Sequence, residues 1–283
     1  MKILVFGVNS PDYMQDDLYH GLKTVYGTDI ESNVNLSYLY SDYAGYTGQL
    51  YGRGFSYAKN IDPELRVVVS KRQIFERLQS KYYDSVIYLS NRRSMELFDV
   101  VVAYLDRHKI ALIDGEDDTE VMTVKGTIQF KRELISDPYP HLFPISFAMP
   151  AEKICRISPV KERMISAQVP SSDRKYAFSS EREYYEEYQS SIYAITHKKA
   201  GWDCKRHYEI MANHCIPLFE GIADCPENIM TTLPKKYLAR IAKNHHKAGE
   251  STEREWRLFL VEWLWQNCTT AALAEYVVDH IMG

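Results

Sequence analysis

The sequence predicts an α/β protein with a parallel sheet, and two features of its hydrophobic pattern lead to this class. Short apolar runs that favour β-strands alternate along the chain with segments in which apolar residues recur at helical spacing. The first run, at 2–8, is apolar at nearly every position, which is typical of a strand that is buried on both faces. Alternation of this kind calls for a parallel sheet with right-handed crossovers.

The first half of the chain contains an ordered series of these elements. Helix 15–26, for example, repeats Leu18 and Leu22 at helical spacing and is followed by Gly27, a residue that commonly ends helices. The predicted strands are 2–8, 67–69, 85–89 and 109–113, with a strand pair at 123–130, and the predicted helices are 15–26, 70–81 and 95–107.

A proline-rich segment at 138–144 interrupts this series, because proline fixes φ and lacks a backbone donor. We therefore expect a boundary near Pro150, with one domain at 1–150, a second at 151–283 and a last helix that crosses back. The predicted helices of the second half are 181–188, 203–213, 235–248, 252–266 and 271–282, and its strands are 192–195 and 216–219.

Composition limits the class of protein. The 283 residues carry a net charge of −4, so the chain as a whole is not a general binder of polyanions. No apolar run approaches the length of a membrane span, and the amino terminus lacks the pattern of a signal peptide. The five cysteines are odd in number and lack metal-binding spacing. We expect free thiols and a cytoplasmic location.

Four carboxylates lie within the five residues 114–118, at the end of the predicted strand 109–113. Doubly wound domains bind ligands at the carboxyl ends of their strands, and crowded carboxylates raise one another's pKa, as a general base near neutral pH requires. A divalent metal site and a solvated strand end are the alternatives. The candidate catalytic residues are Asp114, Glu116 and Asp117; no metal is favoured.

The segment 192–219 predicts an anion site. It has the pattern of a strand, a basic turn with Gly201, a helix capped by Asp203, and a second strand. The first amides of a helix lack partners and carry partial positive charge, and Lys198, Lys199 and Arg206 add cations at that end. The implied ligand is a phosphate or diphosphate. The alternative is an ordinary solvated basic surface.

Further polar residues are expected to border the same cleft. Asn9, Ser10 and Asp12 follow the first strand, although they also fit plain turn chemistry. The stretch 38–57 is rich in tyrosine and glycine, which indicates either a cleft-bordering loop or a self-packed surface loop. The expected acceptor-binding residues are Asn9, Ser10, Asp12, Tyr51, Arg53, Lys131 and Arg132.

Several long runs resemble a group of glycosyltransferase-like proteins with two Rossmann-type domains, the GT-B architecture. They are GWDCKRHYEI, NHCIPLF and DCPENIMTTLPK in the second half, and YGRGFSY, IALIDGEDDTEV, FKREL and PISFAMPAEKI in the first. The resemblance extends to about Leu238 and implies a cleft between the domains, with a nucleotide-sugar donor on the second.

The resemblance also implies roles for individual residues. Glu209 would take the ribose hydroxyls, Arg206 would hold the diphosphate, and His207 would donate to phosphate. Trp202 would stack on the base or anchor the turn. The implied donor-binding residues are Lys198, Lys199, Gly201, Trp202, Asp203, Arg206, His207, Glu209 and Glu220.

The expected function is therefore transfer of a hexose or pentose from a nucleotide-diphosphate sugar to a hydroxyl acceptor, with no required cofactor. The acceptor would be a glycan or a modified DNA base. One alternative keeps this chemistry and acts on a hydroxymethylated pyrimidine of phage or viral DNA. The other is a non-catalytic nucleotide-binding or interaction protein.

Overall fold

A computed structural model describes residues 1–136, 140–168 and 177–283, so the predicted proline-rich break lies partly outside the described residues. In the described part, six parallel strands form one sheet in the order β2-β1-β3-β4-β5-β6, and three more parallel strands form a second sheet in the order β7-β8-β9. The strands of the first sheet are β1 (Ile3–Phe6), β2 (Ile30–Ser32), β3 (Ser85–Tyr88), β4 (Ile110–Asp114), β5 (Ile128–Lys131) and β6 (Leu142–Pro144), and those of the second are β7 (Arg163–Ile165), β8 (Ser191–His197) and β9 (Ile216–Glu220).

Helices alternate with these strands, which confirms the predicted α/β class and its parallel sheet. The helices are α1 (Tyr13–Tyr26), α2 (Lys71–Gln79), α3 (Phe98–Tyr104), α4 (Glu181–Ser190), α5 (Lys205–Ala212), α6 (Lys235–Asn244), α7 (Glu250–Asn267) and α8 (Thr270–Met282). None of the described helices combines the length and the apolar character that a bilayer crossing requires.

Two strand predictions in the first half were wrong. The predicted strand at 67–69 forms only an isolated bridge between Val68 and Ser32, and the predicted pair at 123–130 yields the single strand β5. The sequence did not indicate β2, because this strand has only three residues and includes the polar pair Glu31 and Ser32. The edge of the sheet was therefore misassigned, whereas its centre was predicted correctly.

The strand order determines where a ligand can bind. The chain leaves β1 for β2 on one side and then returns to β3 on the other side, so the order reverses at β1. In open α/β sheets, ligands bind beyond the carboxyl ends of the strands at such a reversal. The loops that follow β1, β3, β4 and β5 all lie at this edge.

The largest of three apolar core clusters in the described residues contains buried residues from both halves, such as Val5, Leu18, Met211 and Leu260. Helix α8 packs against α1, and the two backbones approach so closely that a Cβ on Gly21 would lie 1.8 Å from the Thr270 carbonyl oxygen. Because the core is shared, the division of the chain into domains 1–150 and 151–283 stays a prediction.

A buried ion pair also joins the two halves. Lys205 of α5 donates to the carboxylate of Asp17 in α1 and to the carbonyl oxygen of Ala148, and the amide of Ala148 donates to Asp17 at 3.1 Å. Both charged side chains are almost completely shielded from solvent. The pair therefore fixes α1, α5 and the segment after β6 relative to one another.

Replacing Lys205 by methionine should destabilise the protein by about 3–5 kcal/mol, because Asp17 would remain buried without its cation. Urea unfolding would measure this loss. The control is Arg72→Met, which breaks an exposed pair with Glu76 and should cost about 0.5 kcal/mol or less. A loss below about 1 kcal/mol for Lys205→Met would show that the buried pair does not hold the halves together.

Candidate functional site

The structure brings the predicted acidic run and the predicted basic turn together. A Cβ built on Gly201 would lie 2.5 Å from Oε1 of Glu133 and 3.1 Å from Oδ1 of Asp117. Only glycine fits such a close approach of the backbone to two carboxylates. The loop between β8 and α5 therefore rests directly on the carboxyl edge of the first sheet.

The triplet Lys131-Arg132-Glu133 makes this contact. Arg132 donates to the carbonyl oxygen of Asp203 at 2.6 Å, and Glu133 accepts from the backbone amides of Trp202 at 3.0 Å and Asp203 at 2.9 Å. All three members of the triplet are only 1% exposed. Arg132 and Glu133 thus hold the loop 202–203 against the end of β5.

This burial corrects the predicted acceptor-binding role of Lys131 and Arg132, which assumed exposed cations. Lys131 pairs with Asp114 at 3.0 Å, and Arg132 pairs with Asp117 and with Glu133. Both cations form salt bridges inside the protein, so neither is accessible to an acceptor substrate.

Every candidate catalytic carboxylate also has a cationic partner. Asp114 lies 3.6 Å from Arg92 in addition to Lys131, Glu116 pairs with Arg93 at 2.9 Å, and Asp117 pairs with Arg132. The side chain of Asp114 is 6% exposed, that of Glu116 32% and that of Asp117 58%. Asp117 is therefore the most accessible of the three carboxylates.

The expected effect of crowding is contradicted at Asp118. Burial would raise the pKa of this carboxyl, but Lys131, the amide of Glu120 and Arg92 together lower it. At Asp118, the cations and the amide of Glu120 thus outweigh the effect of burial on the pKa. In the described residues, no group of three or more His, Cys, Asp or Glu side chains is arranged to hold a metal ion.

The start of α5 differs from the prediction. Cys204, not Asp203, precedes the helix, and its side chain makes no capping hydrogen bond. The carboxylate of Asp203 instead accepts from the amide of Phe147 at 2.8 Å and from the hydroxyl of Tyr208 at 2.9 Å. Burial raises the pKa of Asp203 to about 6, although Arg132 acts in the opposite direction.

Arg206 interacts electrostatically with the carboxylate of Glu209, three residues further along α5, but two of its nitrogens lack a hydrogen-bond partner among the described residues. Its Nε and Nη1 atoms are buried, yet neither has a hydrogen-bond acceptor in the structure. Burial and the nearby Arg206 guanidinium lower the pKa of Lys199. Lys198 lies over the ring of Trp202, 5.0 Å from its centroid. Within the described ranges, none of these three cations has a carboxylate within 4 Å.

His207 has a different role from the predicted one. Its ring lies between the hydroxyl of Thr196 and the carbonyl oxygen of Trp202, each at 3.0 Å. A carbonyl oxygen only accepts, so Nε2 donates to Trp202 and Nδ1 accepts from Thr196. Burial lowers the pKa of the ring to about 3. A neutral ring with both nitrogens engaged holds the loop and has no free N–H for a phosphate.

Glu209 is likewise engaged within the protein, which contradicts its implied contact with a ribose. Its carboxylate accepts from the hydroxyls of Ser56 and Tyr184, and burial raises its pKa. The amide of Ser56 also donates to Glu181 of α4. Ser56 therefore links the tyrosine-rich stretch 38–57 to both α4 and α5 by hydrogen bonds.

The remaining predicted site residues lie in the loops before α1 and before α5, at the end of β9, and in the tyrosine-rich stretch 38–57. Asp12 caps α1 by accepting from the amides of Met14 and Gln15, and it pairs with Arg93 at 3.0 Å. The ring of Tyr51 packs edge-on against Tyr13 at the start of α1. Asn9, Ser10 and Glu220 are exposed, Trp202 is half-buried, and Arg53 has a left-handed backbone with φ of 58°.

Sequence reasoning missed Asp17 and Lys205, the buried pair that positions α5. A weak signal was present: Lys205 shares one face of the predicted helix with Tyr208 and Ala212, although Glu209 also lies beside it at four residues' spacing. A lysine on an apolar face needs a buried partner. Asp17, in the first half of the chain, could not be identified as that partner from the pattern.

Two cavities of the protein lie away from this region. One, of about 160 Å³, lies between the segment 144–148, Thr231 and Thr232, and the junction of α7 with α8. The other, of about 390 Å³, lies between the segment 154–156 and α7. Neither cavity is lined by a predicted site residue.

Comparisons with known proteins do not identify a family for this chain. No protein-family model matches the chain, and no curated protein matches it. Among solved structures, the crystal structure of MurG from Acinetobacter baumannii is similar with a TM-score of 0.42 and 7% sequence identity, over 99% of this chain and 100% of that chain. At this identity and TM-score, the likeness supports no conclusion about the activity of the chain.

The raised pKa of Asp203 predicts a pH dependence of stability. An unfolded aspartate titrates near about 3.9, so the folded state holds this proton more tightly. Its contribution is fully present below about pH 4 and is lost as the pH rises through about 6, a change of about 3 kcal/mol. Asp203→Asn stays neutral and should lack this loss.

The measurement is urea unfolding of both proteins at pH values from about 4 to 7. The stability of Asp203→Asn relative to the wild type should rise across this range. Asp106→Asn, at an exposed position, is the control and should show no such trend. A relative stability that stays flat for Asp203→Asn would contradict the shifted titration.

Proposed function

We propose that the chain is a glycosyltransferase that binds a nucleotide-diphosphate sugar beside the loop 198–204 and the start of α5. The single observation that carries this proposal is the cluster of Arg206, Lys198 and Lys199, which form no salt bridge in the described residues and include two buried Arg206 nitrogens without acceptors. A buried donor without an acceptor costs about 1–3 kcal/mol, and an anion would remove that cost. The two phosphates of a diphosphate would offset the excess positive charge.

The neighbouring backbone supports the same ligand. Glu133 accepts from the amide of Trp202, and His207 donates to the carbonyl oxygen of the same residue. The loop that carries Lys198 and Lys199 is therefore held in place at Trp202. Both lysines are exposed, which leaves them accessible to a ligand. Preorganised cations stabilise a leaving diphosphate in proportion to the charge that it gains in the transition state.

The reaction also needs a group that takes a proton. The acceptor oxygen attacks the anomeric carbon, the bond from that carbon to the diphosphate oxygen breaks, and the hydroxyl proton passes to a base. We assign the base to Asp117, since it is the most exposed of the three candidates and lies beside Gly201 in the cationic loop. The sequence resemblance favours sugar transfer over other diphosphate chemistry.

Nucleoside diphosphates and nucleotide sugars should stabilise the protein against unfolding. At a concentration one hundred times its Kd, a ligand adds about 2.7 kcal/mol of stability, which thermal-shift measurements over a panel of nucleotides would detect. Arg206→Gln should abolish the shift, because the amide removes the charge. The control Arg72→Gln, on the exposed face of α2, should keep it. If no nucleotide shifts the wild type, the donor site does not exist.

Catalysis should depend on Asp117 but not on Asp118, its exposed neighbour. With the nucleotide sugar that stabilises the protein best, Asp117→Asn should lower the kcat for release of nucleoside diphosphate by a factor of about 10²–10⁴, as loss of a general base does. The thermal shift should remain. Asp118→Asn is the matched control and should keep most of the activity.

Two outcomes would change these assignments. Full activity of Asp117→Asn would move the base to another carboxylate, which Glu116→Gln and Asp114→Asn would identify. Binding without any turnover by the wild type would favour the non-catalytic nucleotide-binding alternative.

A further inference from the structure

The segment 228–249 is strongly basic within an acidic chain. It contains no aspartate or glutamate, whereas the whole chain carries a net charge of −4. Its cations are Lys235, Lys236, Arg240, Lys243 and Lys247. Such a local excess of one sign creates an attractive field for ligands of the opposite sign.

Four of these cations form a line on one side of α6 and the turn that follows it. Lys236, Arg240, Lys243 and Lys247 recur at helical spacing and are all exposed. The opposite side is apolar, and its Leu238 and Ile241 are buried in the core. We call the four cations the α6 basic face. Lys235 does not belong to it, because its Nζ donates to carbonyl oxygens of the preceding loop.

The α6 basic face has no counter-ions of its own. In residues 1–136, 140–168 and 177–283, no carboxylate lies within 4 Å of any of its four cations. On α2, by contrast, two exposed cations are paired, Lys71 with Glu96 at 2.6 Å and Arg72 with Glu76 at 2.8 Å. Arg240 lies over the ring of Tyr237, 4.6 Å from its centroid, which limits its rotamers.

We propose that the α6 basic face binds the phosphate backbone of a nucleic-acid duplex. The face spans about 16 Å at a rise of about 1.5 Å per residue, and a duplex carries one charge per about 1.7 Å of its axis. A phosphate backbone therefore offers a partner to every cation on the line. The contact is to phosphates, so it is independent of sequence.

An anionic bilayer fits this surface less well. Helices that bind bilayers insert an apolar face between the lipids. The apolar face of α6 is already buried against the protein core. Among the described residues of the segment 228–249, no large apolar side chain is exposed. Only charge would remain to hold a membrane.

The α6 basic face begins near the proposed donor site. Helix α6 packs against β9, and β9 lies beside β8, the strand that leads into the loop 198–204. The proposal goes beyond sugar transfer and does not depend on it, since it rests on the charges of α6 alone.

Fluorescence anisotropy of the full chain with a labelled DNA duplex, measured over a series of salt concentrations, tests this proposal. Four phosphate contacts predict a slope of about −3.6 for log K against log salt. Lys236→Gln/Arg240→Gln should make the slope shallower by about two and weaken binding at least about tenfold at 0.1 M salt. Lys71→Gln/Arg72→Gln removes the same charges from α2 and should leave binding unchanged.

Three results would overturn the proposal. They are no binding at low salt, equal weakening by both double variants, and tighter binding to vesicles that contain phosphatidylserine than to the duplex. The thermal shift by nucleotides does not involve these residues. A failure here would therefore leave the donor-site proposal standing, and the reverse also holds.

Discussion

The burial of Arg132 and Glu133 against the backbone of Trp202 and Asp203 is the interaction on which the rest of the site depends. It joins the carboxyl edge of the first sheet to the loop that leads into α5. Two charges so deeply buried require partners, and the run 114–118 supplies one of them in Asp117. Asp114 and Asp117 of the acidic run thus neutralise the buried cations Lys131 and Arg132. Arg132, once paired, can hold the loop in place.

Charge compensation distinguishes the cations that form salt bridges within the protein from those that do not. On the first sheet, carboxylates and cations alternate, and each cation of the triplet has a carboxylate partner. At the start of α5 the pairing is incomplete, because two buried nitrogens of Arg206 have no hydrogen-bond acceptor. A buried donor without an acceptor is costly. The proposed anionic ligand would supply the missing acceptors.

The centre of the fold could be predicted from the sequence, because buried parallel strands such as β3 and β4 are apolar at almost every position. The edge strand β2 could not, since three residues with two polar side chains carry no periodic signal. At the site, the position of the cations near α5 followed from the strand–turn–helix pattern. The partners of Asp203 and Glu209 did not, because Phe147 and Ser56 are distant in sequence and reach them only through tertiary contacts.

A crystal structure of the protein soaked with inorganic pyrophosphate tests the central claim most directly. The account predicts pyrophosphate oxygens within hydrogen-bond distance of Nε or Nη1 of Arg206 and near the ammonium group of Lys199. Glu133 should still accept from the amides of Trp202 and Asp203 in that structure. Pyrophosphate bound elsewhere, or Arg206 paired with a carboxylate of the protein, would contradict the account.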